Sequence, residues 1–289
     1  MGLFGKKYDE SDEAKAHRLA LTEGITFEVI PLKSLDGAVE ALPAGAKVSV
    51  TCSPAKGIEA TQRITAELLE AGFDPIPHVA SRMVRDRTHS DELAGWCRDL
   101  GLSTVFVVGG DTEEPGDYLG AVEFLGDFLE TDHGLSTIGV TAYPDGHVFL
   151  GDEKVHRALH DKQRMLADAG VAGYCSTQMC FDPDTIAKWL RREREQGLTL
   201  PVHLGISGVV EKAKLLTMGA RLGIGDSLTY LRKNAGAVVK LMTTVNYDPN
   251  DLLLPLSADL LDLGVEGIHM FTFNQVAATN EWRESALLR

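Results

Sequence analysis

The stretch Thr-Val-Phe-Val-Val-Gly-Gly-Asp, residues 104–111, decides the fold class of this chain. Its apolar and β-branched run predicts a β-strand. The two glycines that follow let the backbone turn sharply or let a ligand come close, and Asp111 stands directly after them. The residues on either side carry apolar side chains every three to four positions, which is typical of helices.

Seven further runs resemble this strand. They are TFEVIPL (26–32), KVSVTCS (47–53), PIPHVAS (75–81), STIGVTAYP (136–144), AGYCSTQMCF (172–181), LPVHLGIS (200–207) and IHMFTFN (268–274). Helix-like segments separate them, for example residues 58–71 and 182–194, the latter opening on the good start signal Asp182-Pro183. Such alternation predicts parallel strands joined by right-handed crossovers. With eight units, the α/β fold is predicted to be a closed (β/α)8 TIM barrel, and a doubly wound open sheet is the alternative.

The chain reads as one domain with a short tail. Residues 1–18 are expected to form a flexible polar N-terminal tail, and residues 19–289 a single barrel domain. The interval between the seventh and eighth strands is longer than one crossover requires. We expect an extra helix there at residues 227–239, then a loop at 246–250 and a helix at 252–263.

Composition excludes several function classes. The 289 residues include 28 Lys and Arg against 42 Asp and Glu, a formal net charge of −14. Such a chain would on average repel nucleic acid and anionic lipid, so a small anionic substrate would need a local basic patch. The loop at residues 81–87 carries Arg82, Arg85 and Arg87 and could be that patch, or these arginines could simply pair with Asp86 and Asp91. Four cysteines without zinc-type spacing, and no long apolar segment, indicate a cytoplasmic protein with reduced thiols.

Polar residues near predicted strand ends are the candidate site residues, because barrel active sites lie at the C-terminal ends of the strands. Glu28 interrupts the first strand between Phe27 and Val29, where a carboxyl could keep its proton near neutral pH or could be bonded to a neighbouring strand. Gln178 in the sixth strand offers an amide that donates and accepts at once, as a heterocycle edge requires. The other candidates are Asp111, His78 and Tyr143, each of which could equally be a core or rim residue.

In order and spacing, these segments resemble methylenetetrahydrofolate reductases. The motifs FEVIP, SVTCS, PHVAS, VGGD, AYP, STQMCFD and HMFTFN carry the resemblance, which covers residues 26–274. It implies reduction of methylenetetrahydrofolate to methyltetrahydrofolate, with Glu28 as the proton source for ring opening and Asp111 facing the pterin and supporting the cationic intermediate. It also implies that Gln178 and Phe273 contact the substrate. Thr51, His78 and Tyr143 match residues that line the family's flavin pocket, and Arg82 is a further candidate for cofactor binding.

The sequence departs from the family where FAD is held. The family's arginine before the fourth-strand aspartate is Gly109 here, its flavin-contacting lysine falls at Leu166, and an acidic contact falls at His160. We therefore expect a flavin-independent enzyme in which NADH passes hydride directly to the folate. The alternative is that Lys162 or Arg164 replaces the lost lysine and FAD stays.

Further departures and alternatives stay open. The family's Asn-Arg after the last strand reads Asn274-Gln275, which removes an expected contact near the substrate. A non-catalytic folate-binding barrel is opposed by the retention of the Glu28, Asp111 and Gln178 positions, and a lyase or aldolase by the lack of an obvious lysine at a strand end. His156 and His160, four residues apart, have metal-ligand spacing, but the sequence offers no third ligand.

Overall fold

In a computed structural model, eight parallel strands form a closed barrel with the order β1 to β8. The structure describes residues 10–147, 149–221 and 246–288. The strands are β1 Thr26–Val29, β2 Lys47–Val50, β3 Asp74–Ala80, β4 Thr104–Val108, β5 Thr137–Ala142, β6 Ala172–Thr177, β7 Val202–Ser207 and β8 Val265–Phe271. β8 pairs with β1 in parallel, with Thr26 opposite His269, and this pairing closes the barrel. The predicted TIM barrel is confirmed.

Helices surround the barrel and connect its strands. They are α1 Asp12–Glu23, α2 Leu35–Glu40, α3 Ile58–Glu70, α4 Arg87–Asp99, α5 Ala121–Phe128, α6 Asp152–Asp168, α7 Pro183–Glu195, α8 Lys212–Arg221, α9 Asn250–Asp262 and α10 Val276–Leu287. A short 3-10 turn, Ser81–Met83, follows β3. Both α8 and α9 lie between β7 and β8, so this interval holds one helix more than a single crossover requires.

The structure begins with the helix α1, where the sequence predicted a tail. Residues 12–18 are the first half of α1 and not part of a flexible tail, so the tail boundary was wrong. The hydroxyl of Ser11 accepts a hydrogen bond from Ala14 N at 3.1 Å, which caps that helix. The helix predicted at residues 227–239 lies outside the described residues, whereas that at 252–263 corresponds to α9.

Strand alternation divides the barrel into an apolar outer layer and a mixed interior. Phe27, Val29 and their counterparts on other strands pack with helix residues in the main hydrophobic core. Alternate residues therefore face the lumen. There Ile76, Phe106 and Tyr174 form a separate buried cluster. A Cβ at Gly139 would lie 2.3 Å from the Tyr174 ring and 2.6 Å from that of Phe106, so only glycine leaves room for these rings.

Candidate functional site

Glu28 and His269 form a buried pair inside the barrel. The Nε2 atom of His269 lies 3.0 Å from Oε2 of Glu28, and the two residues are only 3% and 6% exposed. Either a neutral imidazole donates to the carboxylate, or the carboxylic acid donates to the imidazole. In both arrangements one proton lies between the two side chains.

His78 on β3 approaches the same carboxyl oxygen of Glu28 as His269 does. Its Nε2 atom is 3.9 Å from Oε2 of Glu28 and 2.6 Å from the hydroxyl of Ser49. Burial, together with the nearby His269, lowers the pKa of His78 well below its ordinary value. His78 is therefore a neutral, hydrogen-bonded neighbour of the carboxyl and does not act as a cation beside it.

The surroundings of Glu28 differ from the sequence-based picture. The sequence suggested that Phe27 and Val29 enclose the carboxyl, but adjacent strand residues point to opposite faces, and these two belong to the outer core. The Glu28 carboxyl instead meets imidazoles in the lumen. On β7, burial lowers the pKa of a further histidine, His203, to about 4, and its ring stacks on Tyr174 with centroids 4.1 Å apart.

Asp111 lies at the C-terminal face, on the exposed turn after β4. Gly110 in this turn has φ +87°, and a Cβ on it would lie 3.0 Å from that of Ala80, so the turn requires glycine. The negative charge of Asp111 acts on the two rings of the neighbouring β5 loop, Tyr143 and His147. Burial first, and Asp111 in addition, raises the pKa of Tyr143, whereas burial lowers that of His147 against the opposing effect of Asp111.

Gln178 follows β6 directly and is not inside the strand. Its backbone N–H donates to Ala142 O at 2.8 Å, and its side-chain Oε1 accepts from Met179 N at 2.8 Å. The amide oxygen is thus fixed by the chain itself. The amide NH2 group is the part suited to contact a ligand.

Thr51 follows β2 and has a buried hydroxyl. Its backbone N–H donates to Val29 O at 3.1 Å. The Oγ1 atom is buried, and among the described residues it has no hydrogen-bond partner. Since buried polar atoms are normally bonded, this hydroxyl suits a contact with a bound molecule.

The arginine loop after β3 is largely neutralised. Arg85 pairs with Glu92 at 3.2 Å, and Arg87 contacts Asp127 and Glu130 at 3.0 and 2.8 Å. These are not the partners considered from the sequence, since Asp86 instead caps α4 by accepting from His89 N. Arg82 donates from NH2 to the carbonyl of Thr112 at 2.9 Å.

Arg82 is therefore the arginine of this loop placed nearest to the turn that bears Asp111. Its bond to Thr112 uses one of the five N–H donors of a guanidinium. Arg85 and Arg87, with side chains 61% and 52% exposed, take part in surface ion pairs. If the loop contributes to an anion site, Arg82 is the residue that does so.

The positions expected to hold a flavin diphosphate do not present a free cation there. Gly109 has no side chain, and Leu166 is buried in the core. Lys162 is 4% exposed, with Nζ donating to the carbonyl of Thr141 at 2.9 Å, while Arg164 pairs with Asp161 and its side chain is 66% exposed. Lys162 is thus buried against β5, and Arg164 takes part in a surface ion pair.

The segment after β8 is built around backbone strain and an amide clamp. Phe273 and Asn274 have φ values of 49° and 61°, and Phe273 is buried in a cluster that includes Met179 and Tyr247. The Asn274 side chain accepts from Ile30 N and donates to Ile30 O, both at 2.9 Å. This clamp ties the loops after β1 and β8 together at the rim above Glu28.

Sequence reasoning missed two residues around Glu28: His269, which contacts its carboxyl, and Ser49, which is hydrogen-bonded to His78. Ser49 and His269 both lie in quoted motifs, yet neither was selected. Period-two alternation in β8 could have found His269, because Ile268 and Met270 are core residues and His269 between them must face the lumen.

Comparisons with known proteins agree with this architecture. The model of the methylenetetrahydrofolate reductase family matches residues 32–286. A "Probable methylenetetrahydrofolate reductase (NADPH)" from Caenorhabditis elegans is 25% identical over 238 residues, which cover 78% of this chain and 34% of that protein. The chain thus spans about a third of the length of this curated relative.

One solved structure also overlaps most of the chain. It is a "putative phosphonomutase" from Burkholderia cenocepacia J2315, with 15% identity, a TM-score of 0.43, and coverage of 79% of this chain and 98% of that one. Within the described residues, no helix is long and apolar enough to cross a membrane.

Proposed function

Since this chain belongs to the methylenetetrahydrofolate reductase family, we propose that it reduces 5,10-methylenetetrahydrofolate to 5-methyltetrahydrofolate, taking hydride directly from NADH. The observation that carries the proposal is the Glu28–His269 pair, a carboxyl and an imidazole 3.0 Å apart in the barrel lumen. The reaction consumes one hydride and one proton. The pair supplies a buried group from which that proton can come.

Glu28 is assigned the role of general acid. Protonation of the departing folate nitrogen lets its bond to the methylene carbon break, which leaves a cationic iminium that accepts hydride and becomes the methyl group. His269 is a positioning residue, because it holds the acidic oxygen through Nε2. The neutral state of His78 avoids a second cation beside the developing positive charge.

Asp111 and Gln178 are assigned to the substrate. The exposed carboxylate of Asp111 stabilises the folate cation electrostatically. Gln178, with its amide oxygen held by Met179 N, presents NH2 donors to the edge of the pterin. Phe273 is buried in the cluster with Met179, so we assign it to shaping the substrate end of the site.

The hydride donor is assigned to Thr51, Tyr143 and Arg82, which follow strands β2, β5 and β3 at the C-terminal face of the barrel. The Thr51 hydroxyl, which has no hydrogen-bond partner within the described part of the chain, and the further N–H donors of Arg82 fit a polar dinucleotide. The residues present do not fit the family's FAD, because Gly109 and Leu166 replace both expected cations. Each such charge-assisted bond to a diphosphate contributes about 1.5–3 kcal/mol, so two losses weaken flavin binding by several orders of magnitude.

Initial-rate kinetics test both parts of this proposal. Protein freed of small molecules by denaturing dialysis and refolding should convert methylenetetrahydrofolate and NADH to methyltetrahydrofolate, measured by chromatography, at a rate that added FAD does not change. Direct transfer needs both ligands bound together, so reciprocal plots at several folate concentrations should intersect. Parallel lines, or activity only with added flavin, would refute direct transfer but leave the reductase intact. No product under any of these conditions would refute the reductase itself.

A further inference from the structure

A second cluster of titratable groups lies outside the barrel, between α6 and α7. His156 and His160 are four residues apart on α6 and therefore lie on the same face of that helix. The structure adds the third group that the sequence did not reveal, Glu193 near the end of α7. Oε2 of Glu193 lies 2.7 Å from Nδ1 of His156 and 3.0 Å from Nε2 of His160.

We propose that His156, His160 and Glu193 form a binding site for a divalent transition-metal ion, with Zn²⁺ the best match. The three potential ligand atoms lie within 4.8 Å of one another. Two imidazoles and one carboxylate form a ligand set that zinc uses where a coordination position stays open.

The geometry needs only a small adjustment to accept the ion. Tetrahedral bonds of about 2.0–2.2 Å place ligand atoms about 3.4 Å apart. From their present distances of 2.7 and 3.0 Å, the nitrogens of His156 and His160 must therefore move away from Glu193 by about 0.7 and 0.4 Å. Each imidazole then binds through a lone pair after its proton has moved to the other ring nitrogen. The histidine side chains are 29% and 18% exposed, which gives an ion access.

The carboxylate is already oriented for this role. Glu193 is fully buried, and its other oxygen, Oε1, accepts from NH2 of Arg192 at 2.7 Å. Such a partner on the outer oxygen leaves Oε2 as a single-atom ligand, as neighbouring groups do in established metal sites. The alternative is a hydrogen-bonded triad without a metal ion, in which Nδ1 of His156 and Nε2 of His160 both donate to Oε2 of Glu193.

An adjacent cavity provides space for the remaining ligand. It has a volume of about 230 Å³, and His156 and Glu193 form part of its wall together with Tyr143 and Asp152. A fourth coordination position facing this cavity could hold water or an anionic oxygen. Tyr143 is also assigned to the hydride donor, but the metal site is defined by its own three ligands and does not depend on that assignment.

Metal titration of the tag-free full chain tests the proposal. After treatment with EDTA and its removal, Zn²⁺ should bind at one equivalent per chain, measured by competition with a chromophoric chelator. Co²⁺ should give visible bands of a low-coordinate nitrogen and oxygen site without thiolate charge-transfer absorption. H156Q, H160Q and E193Q should each lower the affinity by more than the 10–100-fold typical of an outer partner.

The control is H78Q, which alters the other described group with three potential ligands, Glu28, His78 and His269. H78Q should bind Zn²⁺ like the original protein. Circular dichroism and thermal unfolding check that each variant is folded. If E193Q does not fold, the test rests on H156Q and H160Q, which replace partly exposed residues. The proposal is overturned by no saturable binding, by binding that survives H156Q and H160Q, by binding lost in H78Q, or by thiolate charge transfer.

Discussion

Replacing Lys162 with Met should change how the stability of the protein depends on pH. Burial lowers the pKa of Lys162 from its ordinary 10.5 to about 8. Below pH 8 the folded protein holds a buried ammonium group. At roughly 1.4 kcal/mol per pKa unit, burying this charge lowers the free energy of unfolding by about 3 kcal/mol. Between pH 8 and 10.5 the unfolded chain keeps this proton while the folded chain loses it, so stability rises with pH.

The assay is urea unfolding at 25 °C between pH 7 and 10.5. Cys97 and Cys175, whose pKa values burial raises to about 12, oppose this trend above pH 9, so the quantity to follow is the difference between original and variant. From pH 7 to 10.5, the free energy of unfolding of the original protein, minus that of Lys162→Met, should rise by about 3 kcal/mol. Lys188→Met, at an exposed position of α7, is the matched control and should show no such gain.

A constant difference between the original protein and Lys162→Met would refute the reasoning. The absolute difference at pH 7 is less informative, because the variant loses the bonds to Thr141 as well as the buried charge. Those two effects have opposite signs and similar size. Only the pH dependence separates them.

Three further predictions concern the proposed reaction. Glu28→Gln should leave the fold intact but slow reduction by about 10²–10⁴, measured as kcat, because an amide cannot deliver the proton; near-normal turnover across pH would contradict its role as the acid. Asp111→Asn should lower folate reduction more than NADH binding, measured by rates and fluorescence titration, and equal loss of both affinities with unchanged turnover would mark Asp111 as structural. Gly109→Arg should raise FAD affinity about 10- to 100-fold in equilibrium titration, since an added Cβ meets no atom within 4 Å and the cation restores a charge-assisted bond. Gly109→Gln is its uncharged control, and an equal gain there would show that charge is not the cause.

The strands were predictable from sequence because each is a short apolar run in a regular alternation with helices. The helix α1 was not, because its residues 12–18 are mainly polar and resemble a tail. The signal for it was nevertheless present, in the Ser11 cap followed by the acidic Asp12 and Glu13 in the first turn. This capping signal predicts that the tail ends at Ser11 and that the helix begins at Asp12.

The candidate site was predictable only one residue at a time. Glu28 was found because a carboxyl in an apolar strand is costly to bury, but its partner His269 is 241 positions away. Closure of the barrel brings the two together, and no local pattern contains that pairing. Likewise, His156 and His160 showed metal-ligand spacing, but Glu193 enters only through the packing of α7 on α6.

The interior of the barrel supports the proposed role of Glu28. Branched apolar side chains usually fill a barrel of this type, yet Glu28, His78 and His269 are buried in the lumen here. His203 stacks on the lumen residue Tyr174 beside them. Such departures from simple packing concentrate at functional sites, because each buried polar group lowers stability unless it is paired. The positions where the family has flavin-binding cations, by contrast, lie elsewhere: Gly109 is at the rim of the barrel and Leu166 is on the outer helix α6. In the proposed reaction the donor of hydride can therefore differ without altering the proposed acid, Glu28, and this separation is why we propose both reduction and flavin loss for one protein.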